Sequence, residues 1–161
     1  MPDSDRETAG AVVQTAMLIR RPVGEVFQAF TEPEKVTKFW FSRSSGPLTS
    51  GATVKWDWEP YGVSAKVKVL EFEQDRRILT EWPGASGPTT VEYLFVAQPD
   101  DTTWVQVTER GFASTGDELV REVADSTQGF TLVLAGMKAW CEHGLELGLV
   151  WDRYPAGLVT G

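Results

Sequence analysis

Between Thr53 and Arg110 apolar side chains recur at every second position, and beyond Gly111 the repeat lengthens to three and four. A period of two belongs to strands with one buried face, and a period near 3.6 to an amphipathic helix. Gly, Pro and Asp punctuation divides the first region into five extended runs, TVKWDWE, VSAKVKVLEFE, RRILTEW, TTVEYLFVA and TTWVQVTER. In the first run Val54, Trp56 and Trp58 alternate with Lys55, Asp57 and Glu59, the pattern of a strand with one wet face. In the second, Val63, Ala65, Val67 and Val69 keep phase until Leu70 breaks it ahead of Phe72, which predicts a bulge or bend. Gln98 to Asp101 closes a hairpin between the last two runs, and five consecutive strands of this kind form a meander.

The helical region carries one apolar stripe through Phe130, Leu134, Met137, Cys141 and Leu145, widened by Val133 and Trp140. Lys138 and Glu142 are expected on its outward side. Thr115 with Glu118 reads as a capping box opening a first helix, and Ser126 or Thr127 as the cap of a second, longer one. Gly129 and Gly136 each lower helix propensity by about 1 kcal/mol relative to Ala. Their presence implies close approach of something bulky, with the sheet tryptophans as the expected neighbours. Ahead of the meander, Ala11 to Arg20 reads as a strand. Pro22 opens a short helix carrying Val23, Val26, Phe27 and Phe30, and Thr31 with Pro33 opens another carrying Val36, Phe39 and Trp40. The order predicts an α+β fold: a curved antiparallel sheet of about six strands, with two short helices and a long C-terminal helix packed across it. Residues 11–155 read as one domain, 1–10 as a disordered tail and 156–161 as a C-terminal tail.

With 161 residues, 42% of them hydrophobic, the chain can bury a core without disulfide or metal staples. Lys plus Arg number 15 against 23 Asp plus Glu, a net charge of -8 that repels phosphate, so neither nucleic acid nor an anionic membrane is an expected partner. Cys141 is the sole cysteine and no metal-ligand spacing surrounds it, so no metal or other cofactor is expected. The opening MPDSDRETAG lacks the apolar region of a signal peptide, and the expectation is a cytoplasmic protein.

Three segments, RRPVGEVFQAFTEPEKVTKFW, VTERGF and QGFTLVLAGMKAWCEHG, make a more specific pattern together than any does alone. In their order and spacing the chain, from Val12 to Pro155, resembles homologues of the activator of the heat-shock chaperone ATPase (AHSA type). These lie within the START-like, helix-grip superfamily, also called SRPBCC or Bet v-like. The resemblance implies a sheet wrapped around the long helix, with a cavity between them. Family members include a chaperone-stimulating domain and small proteins thought to bind hydrophobic ligands, and the wider superfamily includes aromatic polyketide cyclases. Fold alone does not choose among these.

Trp40, Trp56, Trp58 and Trp82 fall on positions that face the long helix, where aromatic side chains serve first as core. Large rigid rings on a curved sheet seldom fill space completely, and apolar clefts with a few polar groups bind small molecules. The expected pocket is lined by these four with Tyr93 and Phe95 from the sheet and Phe130, Leu134 and Met137 from the helix. Glu109 follows Val105 and Val107 at two-residue steps and shares their face. A carboxylate there is costly unless hydrogen-bonded, paired or protonated. It is either an orienting group for a ligand or a strand-end side chain reaching solvent. His143, the only histidine, sits where a cation meets a helix C-terminus, Cys141 lies on the apolar stripe, and Gly84 to Gly87 form a turn. Three functions compete: binding of a small hydrophobic or aromatic ligand, a cyclase/aromatase-like reaction steered by Glu109 and Tyr93, and chaperone stimulation through surface contacts.

Overall fold

A computed structural model describes residues 10–155, so the expected tails lie outside the described residues but for Gly10. Strand β1 (Val13–Ile19) is followed by helices α1 (Val23–Thr31) and α2 (Pro33–Val36). Strands β2 (Arg43–Ser44), β3 (Thr53–Trp58), β4 (Val63–Glu73), β5 (Arg77–Trp82), β6 (Thr89–Ala97) and β7 (Thr103–Arg110) come next, with a 3-10 turn at Glu59–Tyr61 between β3 and β4. Helix α3 (Gly116–His143) and the short α4 (Leu149–Arg153) complete the chain. The strands form one antiparallel sheet in the order β1-β7-β6-β5-β4-β3-β2. β3 to β7 are the expected meander, and β1 returns to pair with β7. The seventh strand, β2, is only two residues long, too short for alternation to reveal it.

The phase break in β4 is a register shift between Val69 and Glu71. It turns Leu70 out to solvent, so that Val67 and Val69 before it and Phe72 after it all pack against the core. Inward side chains of the sheet meet Phe130, Val133, Leu134 and Met137 of α3 and Val26, Phe27 and Phe30 of α1 in one continuous core. Full burial of side chains of this size contributes about 1.5–3 kcal/mol each, which fixes where the helices dock.

Four local expectations are corrected. Helix α3 runs unbroken through Ser126 and Thr127, because Thr127 Oγ1 donates back to the Val123 carbonyl (2.7 Å) instead of capping a new helix. Thr115 has N-cap backbone geometry but its side chain makes no cap bond, so the capping box does not close. At the other end Gly144, at φ 65°, stops the helix, with N–H bonds from Gly144 to Trp140 and from Leu145 to Ala139. The apolar stripe therefore ends at Cys141, and Leu145 is 53% exposed. The bulky neighbour of Gly136 is Phe39, not a sheet tryptophan: a Cβ there would lie 3.0 Å from Phe39 Cβ and 3.3 Å from its carbonyl oxygen. Gly129 has nothing within 4 Å of such a Cβ.

Lys138 and Glu142 do not point freely outward, because α3 crosses close beside β1. Lys138 Nζ donates to the Leu18 carbonyl (2.8 Å) and to Glu142 Oε2 (2.6 Å), which also accepts the Arg20 N–H (2.8 Å). Burial works against the Glu142 charge, but the bonds from Lys138 and from the Arg20 N–H outweigh it and hold the carboxyl below its usual value. A depressed carboxyl pKa adds stability that is complete above the unfolded value, about 4.3, and is lost as pH falls through the folded one. Glu142→Gln is therefore expected to lower the melting temperature at neutral pH by roughly 2–4 °C, with the gap to wild type closing toward pH 3. Melting curves across that range check it; a gap independent of pH would show that Glu142 contributes through packing alone.

Candidate functional site

The sheet and α3 separate at one end of the molecule and leave adjoining cavities of about 640 Å³ and 220 Å³. The β3–β4 hairpin, the β5–β6 loop, the segment after β7, the first half of α3, and α4 enclose them. Trp58 and Trp82 line both cavities, Glu109 the larger, and Trp40 and Phe130 the smaller. Trp56, Tyr93, Phe95, Leu134 and Met137 line neither, and each is at most 2% exposed: they are core. Aromatic side chains from α1 and from the segment after α2 fill the centre of the concave face. Phe41 stacks on Trp56 (centroids 4.4 Å apart, planes 20°), and Phe30 lies 4.4 Å from Tyr93. Only beyond this plug do the layers part.

Tyr61, Ser126, Val150 and Tyr154 also wall the larger cavity, and no periodic pattern marks them in the sequence. Tyr61 and Tyr154 meet across the chain. The Tyr61 hydroxyl donates to the Tyr154 carbonyl, the Tyr154 hydroxyl donates to Gln128 Oε1 (2.9 Å), and the Tyr61 and Trp151 rings are 5.4 Å apart. These contacts hold α4 against the hairpin and α3. Burial, followed by the neighbouring Tyr154, raises the Tyr61 pKa and keeps it a proton donor.

The β5–β6 loop forms the opposite wall mainly with backbone. A Cβ on Gly84 would collide with the Gly87 carbonyl, so this tight turn excludes larger residues. Ser86 Oγ donates to Glu122 Oε1 (2.9 Å), with Glu118 Oε1 at 3.3 Å as a second acceptor, and Ser114 donates to Glu122 Oε2. One carboxylate of α3 thus ties down both the loop and the segment after β7.

Glu109 is 7% exposed and pairs in register with Val13 of β1 and Val91 of β6. That burial, at the next-to-last position of β7, removes the option of a strand-end side chain reaching solvent. Thr89 Oγ1 donates to Glu109 Oε2 (2.7 Å), whereas Oε1 is buried with no partner among the described residues. An unmade bond at a buried carboxylate is costly. The Tyr93 hydroxyl is likewise unpartnered among the described residues, and burial, reinforced by the nearby Glu109, pushes its pKa well up.

His143 is exposed beside Glu142, and burial pushes the Cys141 thiol up to about 12, far from the range of a reactive thiolate. Among the described residues no group of three or more His, Cys, Asp or Glu is placed to hold a metal ion, and no helix is long and apolar enough to cross a membrane.

An open antiparallel sheet gripping a long C-terminal helix, with a cavity between them, defines the START-like class of helix-grip proteins. Within it the chain belongs to the AHSA1 family, "Activator of Hsp90 ATPase homolog 1-like protein", whose sequence profile matches residues 20–142. Among solved structures, a protein of Staphylococcus saprophyticus is 29% identical, with a TM-score of 0.72, the alignment covering 85% of this chain and 96% of that one. DynU16, from the dynemicin biosynthetic locus, is 24% identical with a TM-score of 0.74, over 85% of this chain and 49% of that one. The Aha1 dimer of Colwellia psychrerythraea is 19% identical with a TM-score of 0.71, over 84% of this chain and 98% of that one. At these identities the last two establish likeness of fold alone. No curated protein matches the sequence.

Proposed function

We propose that this protein binds a small, largely apolar ligand with an aromatic or cyclic body in the larger cavity. The observation that carries this reading is a built site. A space of about 640 Å³ is lined by Trp58, Trp82 and Glu109, and the Oε1 of that glutamate is buried without a partner among the described residues. Small-molecule sites typically run ~300–1,000 Å³, mostly apolar with a few placed polar groups. Binding is preferred to cyclase-like turnover because Tyr93, the proton-handling partner expected for Glu109, lines neither cavity. It is preferred to chaperone stimulation because surface contacts need no cavity of this kind.

The test is isothermal titration with 1-naphthalenemethanol, a neutral probe of suitable size. Trp58→Ala and Trp82→Ala are each expected to weaken binding about tenfold, equivalent to 1.4 kcal/mol of lost contact. Lys66→Ala, on the outer face of β4, is expected to leave it unchanged. Equal affinity in all these variants would place the probe elsewhere and overturn the reading.

A further inference from the structure

We infer that the ligand of the larger cavity is an amine, whose protonated nitrogen sits on the apolar body and is paired with the Glu109 carboxylate. This rests on the cavity reading above and adds the charge of what is bound. A carboxylate oxygen accepts and does not donate, and an ammonium supplies both the missing proton and the opposite charge. Such charge-assisted bonds are roughly twice as strong as neutral ones.

The surrounding charges select in the same direction. Among the described residues the charged ones lining the cavity are Glu109, Glu122 and Asp125, and no described Lys, Arg or His lines it. A carboxylate or phosphate ligand would meet negative charge and no cation. The acids also have different parts. Both oxygens of Glu122 already accept serine hydroxyls, so it contributes field but no free contact. Asp125 is exposed at the rim, where it draws a cation inward, and Glu109 receives it at the buried wall. The positive end of α3 does not reverse this preference, because its first turn carries Asp117 and Glu118. Trp58 and Trp82 supply the negative ring faces that favour a cation over an anion.

Three probes of one shape separate the outcomes by isothermal titration: 1-naphthylmethylamine, 1-naphthalenemethanol and 1-naphthoate, each at neutral pH. The amine is expected to bind about tenfold tighter than the alcohol and about a hundredfold tighter than the carboxylate. Glu109→Gln, which keeps an acceptor for Thr89, is expected to bring the amine level with the alcohol while the alcohol changes by less than about twofold. Asp125→Asn, at an exposed position that does not put folding at risk, is expected to lower amine affinity about two- to threefold and to flatten its dependence on salt. If the carboxylate binds as well as the amine, or neither substitution distinguishes amine from alcohol, the amine assignment falls and the cavity reading stands. If none of the three probes binds, both fall together.

Discussion

Replacing Trp56 by Ala is expected to cost about 3–5 kcal/mol of stability, the range for deleting a buried Trp or Phe side chain. Trp56 is 1% exposed, stacked on Phe41, 4.9 Å from Trp40 and edge-on to Trp82 at 5.4 Å. Such aromatic pairs add about 0.5–1.5 kcal/mol each beyond area burial. The neighbouring rings are locked by one another and cannot collapse into the void. Trp58, two residues along the same face, fronts a space that is already open, so Trp58→Ala is expected to lose much less stability while losing affinity. Urea unfolding of the two variants compares them directly. Equal stability losses would contradict the division of the tryptophans between core and cavity wall.

Ser126→Trp is expected to abolish probe binding, with a loss of at least about a hundredfold, or 2.7 kcal/mol. Ser126 lines both cavities from a half-buried position on α3, so an indole there grows into empty space and not into packed side chains. Stability is expected to hold or rise slightly, because the new ring buries apolar surface. Titration with 1-naphthalenemethanol together with a melting curve reads both quantities. Undiminished affinity in a stable variant would place the ligand outside these cavities.

Where a local rule decides a feature, the sequence carried it. Alternation placed Trp56 with Trp58 and Tyr93 with Phe95 on the inner face, the phase slip at Leu70 located the bulge, and two-residue steps put Glu109 on the face of Val105 and Val107 without deciding whether it reaches solvent. Features set by packing across the chain were not legible. Whether a buried ring faces a void or another ring depends on Phe30, Trp40 and Phe41 arriving from elements far away in sequence. Alternation gives direction, never depth, so core and wall residues looked alike. The β5–β6 loop builds its wall from backbone, and the Tyr61–Tyr154 contact joins residues 93 apart, neither of which has a periodic signature. Ser126 and Thr127 are good caps in isolation, and the apolar continuity of α3 overrode them.

An open sheet leaves two outer strands, and a bare outer strand is a template on which another chain can stack. In this sheet those strands are β2 and β1. β2 spans two residues and offers too short a ladder for such growth. β1 is seven residues long, but the Leu18 carbonyl is taken by Lys138, the Arg20 N–H by Glu142, and Thr15 is tied to Thr131 by a hydroxyl pair 2.8 Å apart. A second copy adding a strand there would first have to lift α3 away and uncover the core. The same helix that closes the interior therefore also covers the strand edge on which a second copy would otherwise pair.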